Sequence, residues 1–255
     1  MGMRMGGKLW KTSLAGVIAA AGMSGASAVE IKPATPAEYT ALAQLPDWTG
    51  TWQPDWSQLY GPRGGPVPKL TPAAAKVEAE YKAKQAKGEN TQTEAANCVP
   101  PGMPQIMRMP YPIEFLFNPG RVTIAAETYS QVRRIYTDGQ PLPEDPDPAF
   151  NGWSVGKWEG DTLVVDTIGL NPNTSIAAGI HPTEQTRIRE TFHLEKPDLM
   201  LVTTTITDPS VFAEPFVLKQ AYARKRDWQI REYVCQENNR DAADELGRPS
   251  MNIEK

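Results

Sequence analysis

The sequence predicts an all-β protein, an antiparallel meander closing into a calycin-like β-barrel or half-barrel behind an irregular, proline-rich arm with one helix. Three observations carry this. The 255 residues include 24 prolines and 20 glycines, which interrupt helices and supply turns. From Ile113 onward, short alternating segments follow one another with tight turns and no interleaved helical pattern. A meander of this length must bury one face, and closure also removes exposed strand edges. A two-sheet sandwich is the alternative.

The chain opens with Arg4, Lys8 and Lys11, then an apolar run over 12–23, then Ala26-Ser27-Ala28. The run is too short to span a bilayer, and the small residues suit a signal peptidase, so residues 1–28 read as an export signal cleaved after Ala28. Cleavage removes those three cations and no acid, taking the formal net charge from −4 to −7. Such a surface excludes nucleic acid as a partner. A periplasmic or secreted protein is expected, with no membrane span after signal removal.

Residues 29–112 form the arm. Thr71 caps its helix, Pro72 takes the first turn, 73–87 are good helix formers and Gly88 ends it. Trp48, Trp52 and Trp56 are expected to pack on the body, although no strand is expected within the arm. Gly50-Thr51-Trp52 resembles the G-x-W near the start of lipocalin barrels. The stretch 98–112 is too rich in proline for a helix or a central strand and reads as an ordered strap. Cys98 and Cys235 suit an oxidising compartment, where an even, low count suggests a disulfide. The rival reading, a catalytic thiol, lacks a convincing histidine partner.

The body, 113–240, contains strand candidates at 113–117, 121–127, 130–137, 153–158, 162–168, 186–194, 199–207, 216–223 and 228–235. A tail, 241–255, follows. Asn118-Pro119-Gly120-Arg121 places proline and glycine where a type II turn needs them. Thr137-Asp138-Gly139 and Glu159-Gly160-Asp161 offer residues tolerant of positive φ.

Alternation assigns charged residues to the apolar, inward faces. Glu190 shares a face with Ile188 and Phe192, and Glu232 with Ile230 and Val234. Arg134 alternates with Val132 and Tyr136, and Asp166 with Val164 and Ile168. Buried charges must be paired or solvated, so Arg134 is expected beside Glu190 or Glu232. The cluster reads either as an acid/base site or as an ion-pair network that sets strand register.

Gly152-Trp153-Ser154-Val155-Gly156 matches the G-x-S-x-G of a hydrolase nucleophile elbow, but a hairpin follows it where the elbow needs a helix. His181 and Glu184 are too few ligands for a tight zinc site, so no metal is expected. No glycine-rich phosphate loop is present, and no organic cofactor is expected. His181 lies in a long loop suited to substrate contact.

Longer strings carry a resemblance. NCVPPGMP (97–104), YPIEFLFNPGRVTI (111–124), RRIYTDG (133–139), PEDPDPAFNGWSVGKWEGDTLVVDT (143–167), TEQTRIRETF (183–192) and EYVCQENN (232–239) are similar to a largely uncharacterised family of secreted bacterial proteins frequent in sphingomonads. The resemblance implies an exported, β-rich, single-domain protein in a catabolic setting. Where members carry histidine in an N-G-H-S string, this chain has Trp153.

Together these readings predict a barrel that takes up an aromatic or hydrophobic small molecule and transforms it by cofactor-independent lyase or isomerase chemistry. Glu190 or Glu232 is the expected base, and Arg134 the group that stabilises negative charge. Tyr136, His181, Trp153 and Asp166 are the expected substrate contacts. The alternatives are a lipocalin-like carrier without catalysis and an envelope interaction scaffold.

Overall fold

A computed structural model describes residues 33–55, 65–89, 91 and 97–235. The segment read as an export signal, Trp56 and the tail lie outside the described residues. Nine strands close into one barrel in chain order. They are β1 (Thr51–Pro54), β2 (Ile113–Asn118), β3 (Arg121–Ala126), β4 (Gln131–Tyr136), β5 (Trp153–Glu159), β6 (Thr162–Ile168), β7 (Arg187–Lys196), β8 (Leu199–Thr207) and β9 (Phe216–Lys225). The all-β barrel is therefore the fold, and the sandwich is set aside.

All neighbours pair antiparallel except β4 and β5, which run parallel. Residues 137–152 return the chain to the end where β4 began, so the meander is broken once. The hairpin turns follow the expected chemistry: Gly120 and Gly160 adopt φ of 70° and 59°, open to glycine without steric penalty.

Two expectations are corrected. Residues 228–235 form no strand, whereas Thr51–Pro54, in the arm, does. Strand β1 pairs with both β9 and β2 and closes the barrel, so no edge remains for 228–235 to join. That segment instead crosses the outside of the barrel. The Trp228 carbonyl accepts from Thr51 Oγ1 at 3.0 Å, and the Arg231 amide donates to Glu127 at 2.9 Å.

Alternation puts Ile113, Phe115, Val122, Ile124, Ile135, Leu163, Val165, Phe192, Met200, Val202, Leu218 and Tyr222 in the core. The arm supplies a cover at each end. Trp48 is buried against Phe115 and Trp158, with ring centroids 4.9 and 5.1 Å away. Ahead of it run helix α1 (Pro36–Ala41), started by a Thr35–Glu38 capping box, and a 3-10 turn (Leu42–Gln44).

At the opposite end lies the strap, with a 3-10 turn at Gln105–Arg108 and Met103, Ile106 and Met107 buried. Gly102 is required there. A Cβ would lie 2.3 Å from the Phe150 carbonyl oxygen at a φ of 59°. Helix α2 (Pro72–Ala86) starts at Thr71 as expected, buries only Ala74, and lays Tyr81 against Gly179. Cys98 and Cys235 are joined in a disulfide that ties the strap's start to the outer segment.

Candidate functional site

The inward faces of β4 to β9 are largely apolar; apart from Arg224 on β9, they carry one polar cluster around Arg133 and Glu190. Arg133 (2% exposed) and Glu190 (0% exposed) form a buried ion pair through Nη2 and Oε2. Arg133 also donates to Thr167 Oγ1 at 3.0 Å and to Ser154 Oγ at 3.3 Å, and the two hydroxyls lie 2.8 Å apart. Thr204, directly opposite Glu190 on β8, is buried as well.

The strap forms the roof. The Met107 carbonyl accepts from Gln220 Nε2 at 2.5 Å and from the Tyr222 hydroxyl. Burial, and next the nearby Glu190 carboxylate, push the Tyr222 phenol far above its usual range, so it remains a neutral donor.

The pairing expected around Glu190 exists, but its cation is Arg133. Arg134 is exposed on the outer face. Antiparallel partners share a face, and Arg133 stands opposite the buried Ile124. The signal was in β3, where Val122 and Ile124 mark the core face across the turn. Reading β4 alone, with Val132 as the apolar anchor, shifts the assignment by one residue and inverts the face. Val132 is in fact 43% exposed.

Other expected residues stand apart from the cluster. Glu232 is exposed in the outer segment, outside any strand. Asp166 faces outward and meets Arg189 at 3.4 Å, while Leu163, Val165 and Thr167 face inward. Tyr136 shares the outer face of β4 with Arg134. Trp153 is 41% exposed and its indole N–H donates to the Asp147 carbonyl at 2.8 Å. His181 is exposed, with Nδ1 2.8 Å from the Thr174 carbonyl. Sequence reasoning missed Thr167, Thr204, Gln220 and the Tyr222 hydroxyl, and weighed Ser154 only as a nucleophile. Serine and threonine on a strand carry no charge to mark them, and their inward direction becomes visible only once register is known. Ser154 sits within β5, so its G-x-S-x-G setting is a strand and not an elbow.

The pair is internally neutral. Among the described residues, Arg133 Nη1 and Glu190 Oε1 are buried without a hydrogen-bond partner. An uncommitted buried donor or acceptor costs about 1–3 kcal/mol, more when charged. The cluster therefore retains one unused donor and one unused acceptor within an apolar wall. No protein-family model matches this chain, and no curated protein matches it.

Proposed function

We propose that this is an exported barrel that binds a small molecule with a neutral, hydrogen-bonding head and an apolar, aromatic body. One observation carries the reading: the two uncommitted valences of the Arg133–Glu190 pair. A ligand hydroxyl, amide or carboxylic acid group supplies both a donor for Oε1 and an acceptor for Nη1. A charged head is disfavoured, because the pair has no net charge to offset its desolvation. Apolar walls with few, placed polar groups are the usual composition of such a site. Entry requires the strap over Gln220 and Tyr222 to move. The Cys98–Cys235 disulfide supports export, since such bonds persist in oxidising compartments, and among the described residues no helix is long and apolar enough to cross a membrane.

The test uses a double variant. Replacing both members of a buried pair with apolar residues is often neutral or stabilising, by about 1–4 kcal/mol. Arg133→Met/Glu190→Leu is therefore expected to fold while losing affinity for phenols and benzamides that bind the wild type in calorimetric titrations. Binding retained by a folded double variant ends the proposal.

A second reading keeps catalysis, and the free Glu190 oxygen beside a guanidinium favours it. Glu190 would take a proton from a carbon next to a carbonyl. The C–H electron pair would move into an enolate whose oxygen Arg133 stabilises. Return of the proton to another carbon gives isomerisation, and loss of a β-substituent gives elimination. A bound ligand recovered unchanged after long incubation removes this reading and leaves the carrier.

A further inference from the structure

The barrel end away from the strap holds a second feature. The segment running from α1 to Leu45 does not seal against the β2–β3 hairpin. A cleft of about 190 Å³ lies between them, walled by Leu42, Leu45, Phe117, Val122 and Trp158. Phe117 and Trp158 meet edge to face, with centroids 5.9 Å apart, and both pack at a tilt against the buried Trp48. An apolar cavity of about 150 Å³ is already large enough to hold benzene. The space suits one aromatic ring.

The polar rim selects what the ring carries. Arg121 lines the cleft, and its Nε is buried with no hydrogen-bond partner among the described residues. Glu38 is also on the rim, but one of its carboxylate oxygens accepts from both the Thr35 hydroxyl and the Thr35 amide, so it serves the α1 cap. Asp138 lies behind the turn at Gly120, where its carboxylate accepts from the Gln140 amide. Of the charged groups on the rim, the guanidinium is the cation, and it carries the uncommitted donor. We propose that this cleft binds a single-ring aromatic carboxylate, with the ring on Phe117 and Trp158 and the carboxylate on Arg121. It is independent of the Arg133–Glu190 cluster and differs in ligand charge.

Benzoate is the probe, titrated into the full chain and followed by backbone and methyl chemical shifts. The expected result is saturable binding with shifts confined to Leu42, Leu45, Phe117, Val122 and Trp158. Arg121→Gln, a change at a turn, is expected to weaken benzoate about tenfold or more, the loss of one charged hydrogen bond. Benzyl alcohol should bind alike to both forms, and the Arg133→Met/Glu190→Leu variant should bind benzoate unchanged. Leu42→Trp, which fills the space, should abolish binding of both probes with the fold intact by circular dichroism. Shifts that do not saturate, or that fall elsewhere, overturn the proposal. So does equal benzoate affinity in Arg121→Gln, or binding that survives Leu42→Trp.

Discussion

Single residues show most sharply where charge can be placed. Removing one member of the Arg133–Glu190 pair leaves the other charged, buried and unpaired, which costs about 3–5 kcal/mol. Glu190→Leu alone is thus expected to lower the urea midpoint far more than the double replacement does. Equal midpoints for the single and double variants would contradict the pairing. Among the described residues, Arg224 is the second buried cation. Its side chain is 1% exposed, its Cζ lies 4.6 Å over the Trp52 ring, and it bonds the Thr49 carbonyl and Asp47 Oδ2, each at 3.0 Å. Hydrogen bonds from the Thr49 hydroxyl and amide, with a smaller contribution from Arg224, push the Asp47 carboxyl down to about 2. The unfolded value is about 3.9. The stability this depression contributes is therefore complete above about pH 4 and disappears as pH falls through about 2. Asp47 is 61% exposed, so solvent screening keeps the effect modest. Urea titrations of wild type and Asp47→Asn should differ at pH 5 and converge near pH 2.

At the level of elements, the strands were legible because alternation and turn chemistry agree. Eight of the nine follow from period-two patterns bounded by turns such as Asn118-Pro119-Gly120. Strand β1 was not legible. Four residues ending in Pro54 make no pattern, and Thr51–Pro54 is a strand only because β9 and β2 offer it partners. Residues 228–235 failed for the converse reason, having an alternating pattern with no edge left to join. Their anchoring depends instead on the Cys98–Cys235 disulfide, which closes a separation of 137 residues. In the chain-entropy account such a loop is worth up to about 5 kcal/mol, and removal of a native bridge typically costs about 2–5 kcal/mol. Cys98→Ser/Cys235→Ser should lower stability within that range in chemical denaturation. It should also raise amide exchange in the strap, at Ile106 and Met107, more than in β7 and β8.

For the whole molecule, closure is the decisive step, and a four-residue strand performs it. Trp52 is fully buried, donates to the Trp48 carbonyl at 3.0 Å and carries Arg224 on its face. Truncating a buried aromatic of this size costs about 3–5 kcal/mol. Trp52→Ala should therefore lower the melting temperature more than Trp228→Ala, since Trp228 is 46% exposed on the outer segment. A similar loss in both would mean that the β1 seam does not hold the barrel shut.

The predominance of strand, the turn positions, the α2 helix and the inward direction of Glu190 were determined by the sequence alone. Each rests on neighbours a few residues away, through backbone dihedral preferences and alternation. The identity of the buried cation, the hydroxyls around it, the roof formed by the strap and the closing strand were decided only by tertiary structure. These depend on register between strands distant in sequence. A shift of one residue turns Arg133 outward and Arg134 inward, and no local preference distinguishes two adjacent arginines.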